Sequence, residues 1–453
     1  MHEFDEQTES LLRQITAVVR ERLRREPSPL EPARDPHELA ECVGKTITPA
    51  GIGSENALSL FADVLSRCCT TQSHPRNFAA VPSAPTPAAA IFDQLVSTHS
   101  IFAGTWAGGA GAIHAENEVL RWLADEAGFP ASAGGTFVQG GTMGILSALV
   151  AARARARREN GSFAGRPKIA ASTEAHFAVR ESAAAMDCEL LPVEVDATHR
   201  MTAATLTRAL EGADAEGLFA VVATAGSTNL GVVDDLAGIA EVCSERALYL
   251  HVDGTYGFPA ILAPSGRPHF TGIERADSLT VDPHKWLFAP YDSCALLYRD
   301  RQSARAAHRW SDAYLQSASP PDSDPTAEDP KDFAIHLSRR ARGLPLWFSL
   351  ASYGTDAYRT AVEKSLALIR QAAAEVRQRP YLQLVIKPTL SVLVFRRPGW
   401  ETADYQELSE RLLAARTAWF LPTRLFEEPA ARIAVVNPKT TLEDICTVLN
   451  AMR

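Results

Sequence analysis

The run Asp277-Ser-Leu-Thr-Val-Asp-Pro-His-Lys-Trp286 sets a histidine, His284, beside a lysine, Lys285, where a β-branched stretch ends in a proline turn. Thirty-two residues upstream, Leu248-Tyr-Leu-His-Val-Asp253 runs apolar into an aspartate and breaks at Gly254 and Gly257. Parallel strands bring Asp253 and Lys285 to one carboxyl edge of a sheet, the edge at which α/β folds bind ligands. A lysine and a buried carboxylate so placed suit pyridoxal phosphate. The amine condenses with the aldehyde, and the carboxylate keeps the pyridine nitrogen protonated so that the ring draws electrons. The amine must lose its proton to attack, which burial and a cationic cofactor favour. A structural ion pair between Asp253 and Lys285 leaves the same trace in a sequence, so a further element is needed.

That element is Phe137-Val-Gln-Gly-Gly-Thr-Met-Gly144, a strand followed by a Gly-rich turn that opens a helix from Ile145 to Arg158. Amides at a helix N-terminus, the Thr142 hydroxyl and a glycine at 141 that permits close approach form a seat for a phosphate. Ser172-Thr-Glu-Ala-His176 ends another strand with an imidazole placed to stack on a cofactor ring, although a lone histidine is as readily structural. Thr224-Ala-Gly-Ser-Thr228 ends the next strand with small hydroxyls suited to the ring's edge.

The elements that must hold these residues follow from periodicity. Between about 115 and 300, strands at Lys168 to Ser172, Phe219 to Thr224 and Leu248 to Asp253 alternate with helices at Phe177 to Met186 and Asp234 to Arg246. This alternation predicts an α/β fold with a mainly parallel sheet covered on both faces. Before it, Leu11, Leu12, Ile15, Val18, Val19 and Leu23 stripe a helix over 8–26 that needs a partner surface. A Pro/Ala-rich stretch, 81–87, marks the first boundary, and the motif His74-Pro-Arg-Asn-Phe78 lies just before it. The polar, proline-rich segment 317–332 reads as a surface loop or lid. Beyond it, a helical stretch Leu344 to Arg379, strands at Leu382 to Ile386, Leu390 to Phe395 and Ala431 to Val436, and helices at Tyr405 to Arg416 and from Leu442 predict a smaller α+β domain. The division is 1–80 as an arm, 81–343 as the large domain and 344–453 as the small one.

Composition narrows the partners. With 453 residues, 45 Lys and Arg against 54 Asp and Glu, and a net charge of −9, the chain has no basic field for nucleic acid or anionic lipid. No apolar run is long enough for a membrane span, and the acidic start is unlike a signal peptide. Seven cysteines without a CxxC pair indicate neither a disulfide framework nor a metal site. The expectation is a cytoplasmic enzyme acting on a small molecule.

Taken in order, HPRNF, QGGTMGILSALVAARAR, STEAH, ATAGSTNLGVVDDL, LHVDGTYG, ADSLTVDPHKWL and SRRARGLPLWF resemble the group II pyridoxal-phosphate-dependent amino acid decarboxylases over about residues 74–440. The resemblance implies a fold-type I homodimer with a sheet of the seven-stranded type, an N-terminal arm packed on the partner, and decarboxylation of an L-amino acid to its amine. It implies that Lys285 is the Schiff-base lysine, Asp253 the partner of the pyridine nitrogen, His176 the stacking histidine and His284 the histidine beside the lysine. Gly141 and Thr142 form the phosphate turn, Thr224, Thr255 and Asp282 lie near the cofactor, and His74, Phe78 and Trp106 line the substrate side. Three positions depart from the family pattern. Thr255 replaces a common alanine, His114-Ala-Glu116 replaces a more acidic stretch, and Asp282 stands where the aromatic branch often has asparagine, which sets the chain apart from that branch. In the family a lid tyrosine returns a proton to the substrate, yet 315–332 contains no tyrosine and the nearest aromatic is Phe333. Loss of that hydroxyl implies an alternative outcome, oxidative formation of an aldehyde with ammonia and peroxide, unless Tyr314, His336 or His284 substitutes.

Overall fold

The computed structural model describes residues 2–25, 27–163, 165–212, 215–309, 328–425 and 427–453. The chain opens with α1 (Glu6–Arg24), α2 (Pro36–Val43), α3 (Ser54–Leu60), α4 (Pro87–His99) and α5 (Trp106–Glu126). It continues through β1 (Gly134–Val138), α6 (Gly141–Asn160), β2 (Lys168–Ser172), α7 (Phe177–Ala185), β3 (Glu189–Val193), α8 (Ala203–Gly212), β4 (Leu218–Thr224) and α9 (Leu236–Glu245). Next come β5 (Tyr249–Asp253), β6 (Ser278–Val281), β7 (Cys294–Tyr298) and α10 (Arg301–His308). The last part holds α11 (Leu344–Tyr353), α12 (Thr355–Gln378), β8 (Gln383–Leu384), β9 (Val392–Arg396), α13 (Thr402–Ala414), β10 (Leu421–Leu425), β11 (Glu428–Ala434) and α14 (Leu442–Ala451).

Seven strands form one sheet in the order β1-β7-β6-β5-β4-β2-β3, in which only β7 runs against its neighbours. Its central strands are buried along their whole length but for Leu218 at the start of β4, which is why they read as continuous apolar runs. The register pairs Thr224 with Asp253 and Asp253 with Thr280, so β4, β5 and β6 end level and deliver their following residues to one edge. A second, antiparallel sheet, β10-β11-β9-β8, packs with α12, α13 and α14 around Phe395, Tyr405, Phe420 and Ile433.

Local chemistry explains the differences from the sequence reading. The helical stretch Leu344 to Arg379 breaks into α11 and α12 at Gly354, whose φ of +75° is open to glycine without a Cβ penalty. The strand at 382–386 shortens to two residues. Of the three strands that the sequence reading lacked, β7 follows directly on the lysine turn, while β3 and β10 each contain a proline, Pro192 and Pro422, and both lie at the outer edge of their sheet, where a missing N–H costs no ladder bond. A buried Arg339–Glu116 pair, at 2.7 Å, ties α5 to the segment before α11, with Glu116 also accepting the Gly343 N–H at 2.8 Å.

Candidate active site

Four strand ends converge on Lys285. After β6 the chain turns through Asp282, whose N–H reaches the Thr255 carbonyl at 3.1 Å, and Lys285 N–H closes the turn onto the Asp282 carbonyl at 3.0 Å. Lys285 Nζ then lies 2.9 Å from Asp282 Oδ2. Asp253, at the end of β5, receives the Thr255 N–H at 3.1 Å, while its own carbonyl accepts from Ala225 beyond the end of β4. From β4, Thr224 is fixed by the buried Asp234, whose carboxylate accepts the Thr224 N–H at 2.7 Å and the Met201 N–H at 2.8 Å. From β2, His176 caps α7 by accepting the Ala178 N–H on Nδ1, which fixes its ring.

The helix α6 starts at Gly141 with no side chain capping it, so its first N–H groups face this edge unclaimed by a cap. Gly141 has a steric reason: a Cβ there would lie 2.5 Å from Thr255 Cγ2 and 3.3 Å from Asp282 Oδ2. His284 donates from Nδ1 to the Ser293 carbonyl at 2.7 Å, and its ring lies against that of Tyr291 at 4.7 Å between centroids.

The electrostatics follow the geometry. Burial works against the Lys285 ammonium, but the Asp282 carboxylate, with Asp253 behind it, overcomes burial and holds its pKa above the usual lysine value. Burial pushes His176 down, reinforced by Lys285 and opposed by Asp253 and Asp282, so it is a neutral ring at pH 7. His284 is lowered in the same way, by burial first.

Lys285, His284, Asp282, Asp253, His176, Thr224, Thr255, Gly141 and the adjoining Thr142 therefore share one edge of the large sheet. The residues expected on the substrate side make other contacts. Phe78 is fully buried in the core around the second sheet, its N–H bound to the Trp419 carbonyl. His74 faces Arg76 and Asp444, and burial pulls it down to about 4. Trp106 opens α5, with its N–H on Asp329 Oδ1 at 2.7 Å. Phe333 is 2% exposed and packs with Val138, Leu296 and Tyr298 behind β7, where an apolar ring is best removed from water. It therefore does not stand in for a lid tyrosine. His336 is tied to the Pro330 carbonyl at 2.9 Å and is pulled down to about 4 by burial and by Arg339, so it too is spoken for. Most of the expected lid, including Tyr314, lies outside the described residues. Tyr291, Ser293 and Cys294 are site neighbours that the sequence reading lacked; their signal is that β7 returns antiparallel directly after the lysine turn.

The residues present fit pyridoxal phosphate. The buried Thr224 Oγ1 and Asp282 Oδ1 have no hydrogen-bond partner, the first helical turn of α6 is uncapped, and an acid and a lysine stand at the edge between them. Together with the sheet order, this defines a fold-type I pyridoxal phosphate enzyme. A family model described as the pyridoxal-dependent decarboxylase conserved domain matches residues 48–397. The chain belongs to that family, takes pyridoxal phosphate as cofactor and decarboxylates an amino acid. It is 33% identical over 395 residues to an aromatic-L-amino-acid decarboxylase of Bacillus atrophaeus, covering 84% of this chain and 81% of that one. It is 31% identical over 375 residues to an L-2,4-diaminobutyrate decarboxylase of Rhizobium meliloti, covering 80% and 73%. The crystal structure of mouse CSAD superposes with a TM-score of 0.89 at 25% identity over 98% of each chain. The fold is also that of Oryza sativa TDC with PLP and tryptamine, with a TM-score of 0.92 at 24% identity over 100% and 98%. Asp282 thus does not separate the chain from aromatic relatives, and the named curated relatives do not favour the aldehyde outcome.

Proposed function

We propose that this chain converts an aromatic L-amino acid into the corresponding amine and CO₂, working as a homodimer in the cytoplasm. The observation that carries the chemistry is the meeting of Lys285, Asp253 and the uncapped start of α6 at one sheet edge. Bound there, the cofactor supplies the electron sink into which the bond between Cα and the carboxylate breaks. Lys285 would hold the cofactor through its amine. Asp253 holds a proton on the pyridine nitrogen, and His176, a neutral ring fixed as the cap of α7, covers the face of the cofactor. Thr224 and Thr255 bound the ring's edge, while Gly141, Thr142 and Asp282 take the phosphate. The 33% identity to an aromatic-L-amino-acid decarboxylase supports the substrate class.

Exposed apolar residues on α1, Leu12 and Ile15, and on α4, Ile91 and Leu95, support a second copy as the missing cover. Seven free thiols support a reducing compartment. With Phe333 in a core and His336 tied to the Pro330 carbonyl, His284 and Tyr314 remain of the groups expected to return the proton to Cα.

The test is incubation of the protein in air with L-tyrosine, L-tryptophan, L-histidine, L-glutamate and L-2,4-diaminobutyrate, measuring CO₂, amine, ammonia and peroxide together. Amine and CO₂ in equal amounts from an aromatic substrate are expected. Stoichiometric ammonia and peroxide would overturn the amine assignment, and turnover confined to a charged substrate would overturn the aromatic one.

A further inference from the structure

Asp282 poses an electrostatic problem that the fold leaves open. Its side chain is 3% exposed, Oδ1 has no partner, and Oδ2 lies both 2.9 Å from Lys285 Nζ and 3.3 Å from where a Cβ on Gly141 would stand. The carboxylate therefore borders the start of α6, the turn read above as the phosphate seat, and this inference rests on that reading. A phosphate monoester loses its second proton near pH 6 and is a dianion above about pH 7. When Lys285 is committed to the cofactor, Asp282 exchanges its ammonium partner for an anion in a dry site. Two bare anions in contact there are costly, and a phosphate oxygen is an acceptor that asks for a donor.

The other groups facing Asp282 do not remove the conflict. His284 Nε2 is 3.7 Å away, but that ring is pushed toward its neutral form by burial. His176 on α7 is also lowered by burial. From β7 comes the Cys294 thiol, held protonated by burial and by Asp282 itself. Tyr291 adds a phenol raised by burial, and β5 adds a second acid, Asp253, near the same lysine. The Cys294 S–H is a weak donor to the Asp282 carboxylate, and beside it the α6 amides and Lys285 offset the charge.

We propose that Asp282 meets the cofactor phosphate as a neutral carboxyl group donating a hydrogen bond to a phosphate oxygen, so that loading the cofactor takes up one proton from solvent. The balance is simple: carboxylate and proton become carboxylic acid, and no electron moves. Cofactor affinity then weakens as pH rises, because the proton must be drawn from an ever thinner supply. Asp282→Asn supplies a permanent N–H donor of the same shape and needs no proton.

The experiment is titration of the cofactor-stripped full chain with pyridoxal phosphate from about pH 7 to 9, followed by absorbance, for wild type and Asp282→Asn. The log Kd of wild type is expected to climb more steeply than that of the variant, by about one unit per pH unit, so that between about pH 7 and 9 wild type loses up to about 100-fold more affinity than Asp282→Asn. Parallel profiles would overturn the proposal. Pyridoxal, which lacks the phosphate, is expected to give parallel profiles, and a persisting difference with it would place the proton elsewhere and also overturn the proposal. Wild type alone gives a second readout in weak buffer with an indicator dye: about one more proton taken up per pyridoxal phosphate than per pyridoxal. Equal uptake would count against the proposal even if the variant failed to fold. Failure of wild type to bind pyridoxal phosphate at all would instead overturn the cofactor reading itself.

Discussion

Replacing Gly141 by alanine separates two effects of opposite sign. Alanine favours a helix over glycine by about 1 kcal/mol, so on propensity alone the change stabilises α6. Against it stands a Cβ 2.5 Å from Thr255 Cγ2, with Asp282 Oδ2 at 3.3 Å leaving little room to swing aside. Carbon atoms in contact sit about 3.5–4.0 Å apart, so the helix start and the Thr255 turn must part by about 1 Å. Overpacking of this kind costs about 1–3 kcal/mol, which exceeds the propensity gain. The displaced elements are those that take the phosphate, so the cost falls on cofactor affinity, about 5- to 150-fold in Kd. Thr255→Ala removes the methyl that is struck. The double variant is expected to recover most of the loss, with a coupling of at least about 1 kcal/mol in the cycle. The assay is equilibrium titration with pyridoxal phosphate for the four proteins, with thermal melts of the cofactor-free forms beside it. Additivity within about 0.5 kcal/mol would refute the steric reasoning.

Two further outcomes follow from named residues. Asp253→Asn is expected to retain the cofactor but lower kcat by about 10²–10³, measured as CO₂ release, because a charge aimed at the ring nitrogen is lost; an unchanged kcat would remove that role from Asp253. His251, fully buried on β5 with Nδ1 2.8 Å from Ser278 Oγ, is pulled down to about 4 by burial from 6.5. The unfolded chain takes up the proton that the native chain refuses, so stability is present above pH 6.5 and is lost as pH falls toward 4, by about 3 kcal/mol for this group. Urea unfolding of His251→Gln between those limits is expected to show a shallower pH dependence than wild type, and identical dependences would contradict the burial argument.

Much of this was legible in the sequence because strands and site coincide. A buried parallel strand announces itself as an apolar run, and β2, β4 and β5 each end in the residues that do chemistry, so finding the strands found Thr224, Asp253 and the turn before His176. Gly141 and Thr142 were legible because a Gly-rich turn before a helix leaves donors free. The prolines of β3 and β10 hid two edge strands. Phe78 and Phe333 misled for a different reason: an aromatic beside a motif carries no sign of which face it turns, and both rings turn into cores. Ion pairs such as Arg339–Glu116 join residues more than 200 positions apart, a distance no local pattern reports. The sequence places Asp282 near the cofactor, but its carboxylate, with Oδ2 against Gly141 and Oδ1 unpartnered, appears only once β5, β6 and α6 meet.

The central claim is that Lys285 holds pyridoxal phosphate at the carboxyl edge of the seven-stranded sheet. Borohydride reduction of the cofactor-loaded protein, followed by proteolysis and mass mapping of the pyridoxyl group, tests it directly. One labelled peptide containing Lys285 is expected, with the visible absorbance band lost in step. A label on Lys331 or any other lysine, or no label on a protein that has lost its band, would contradict it.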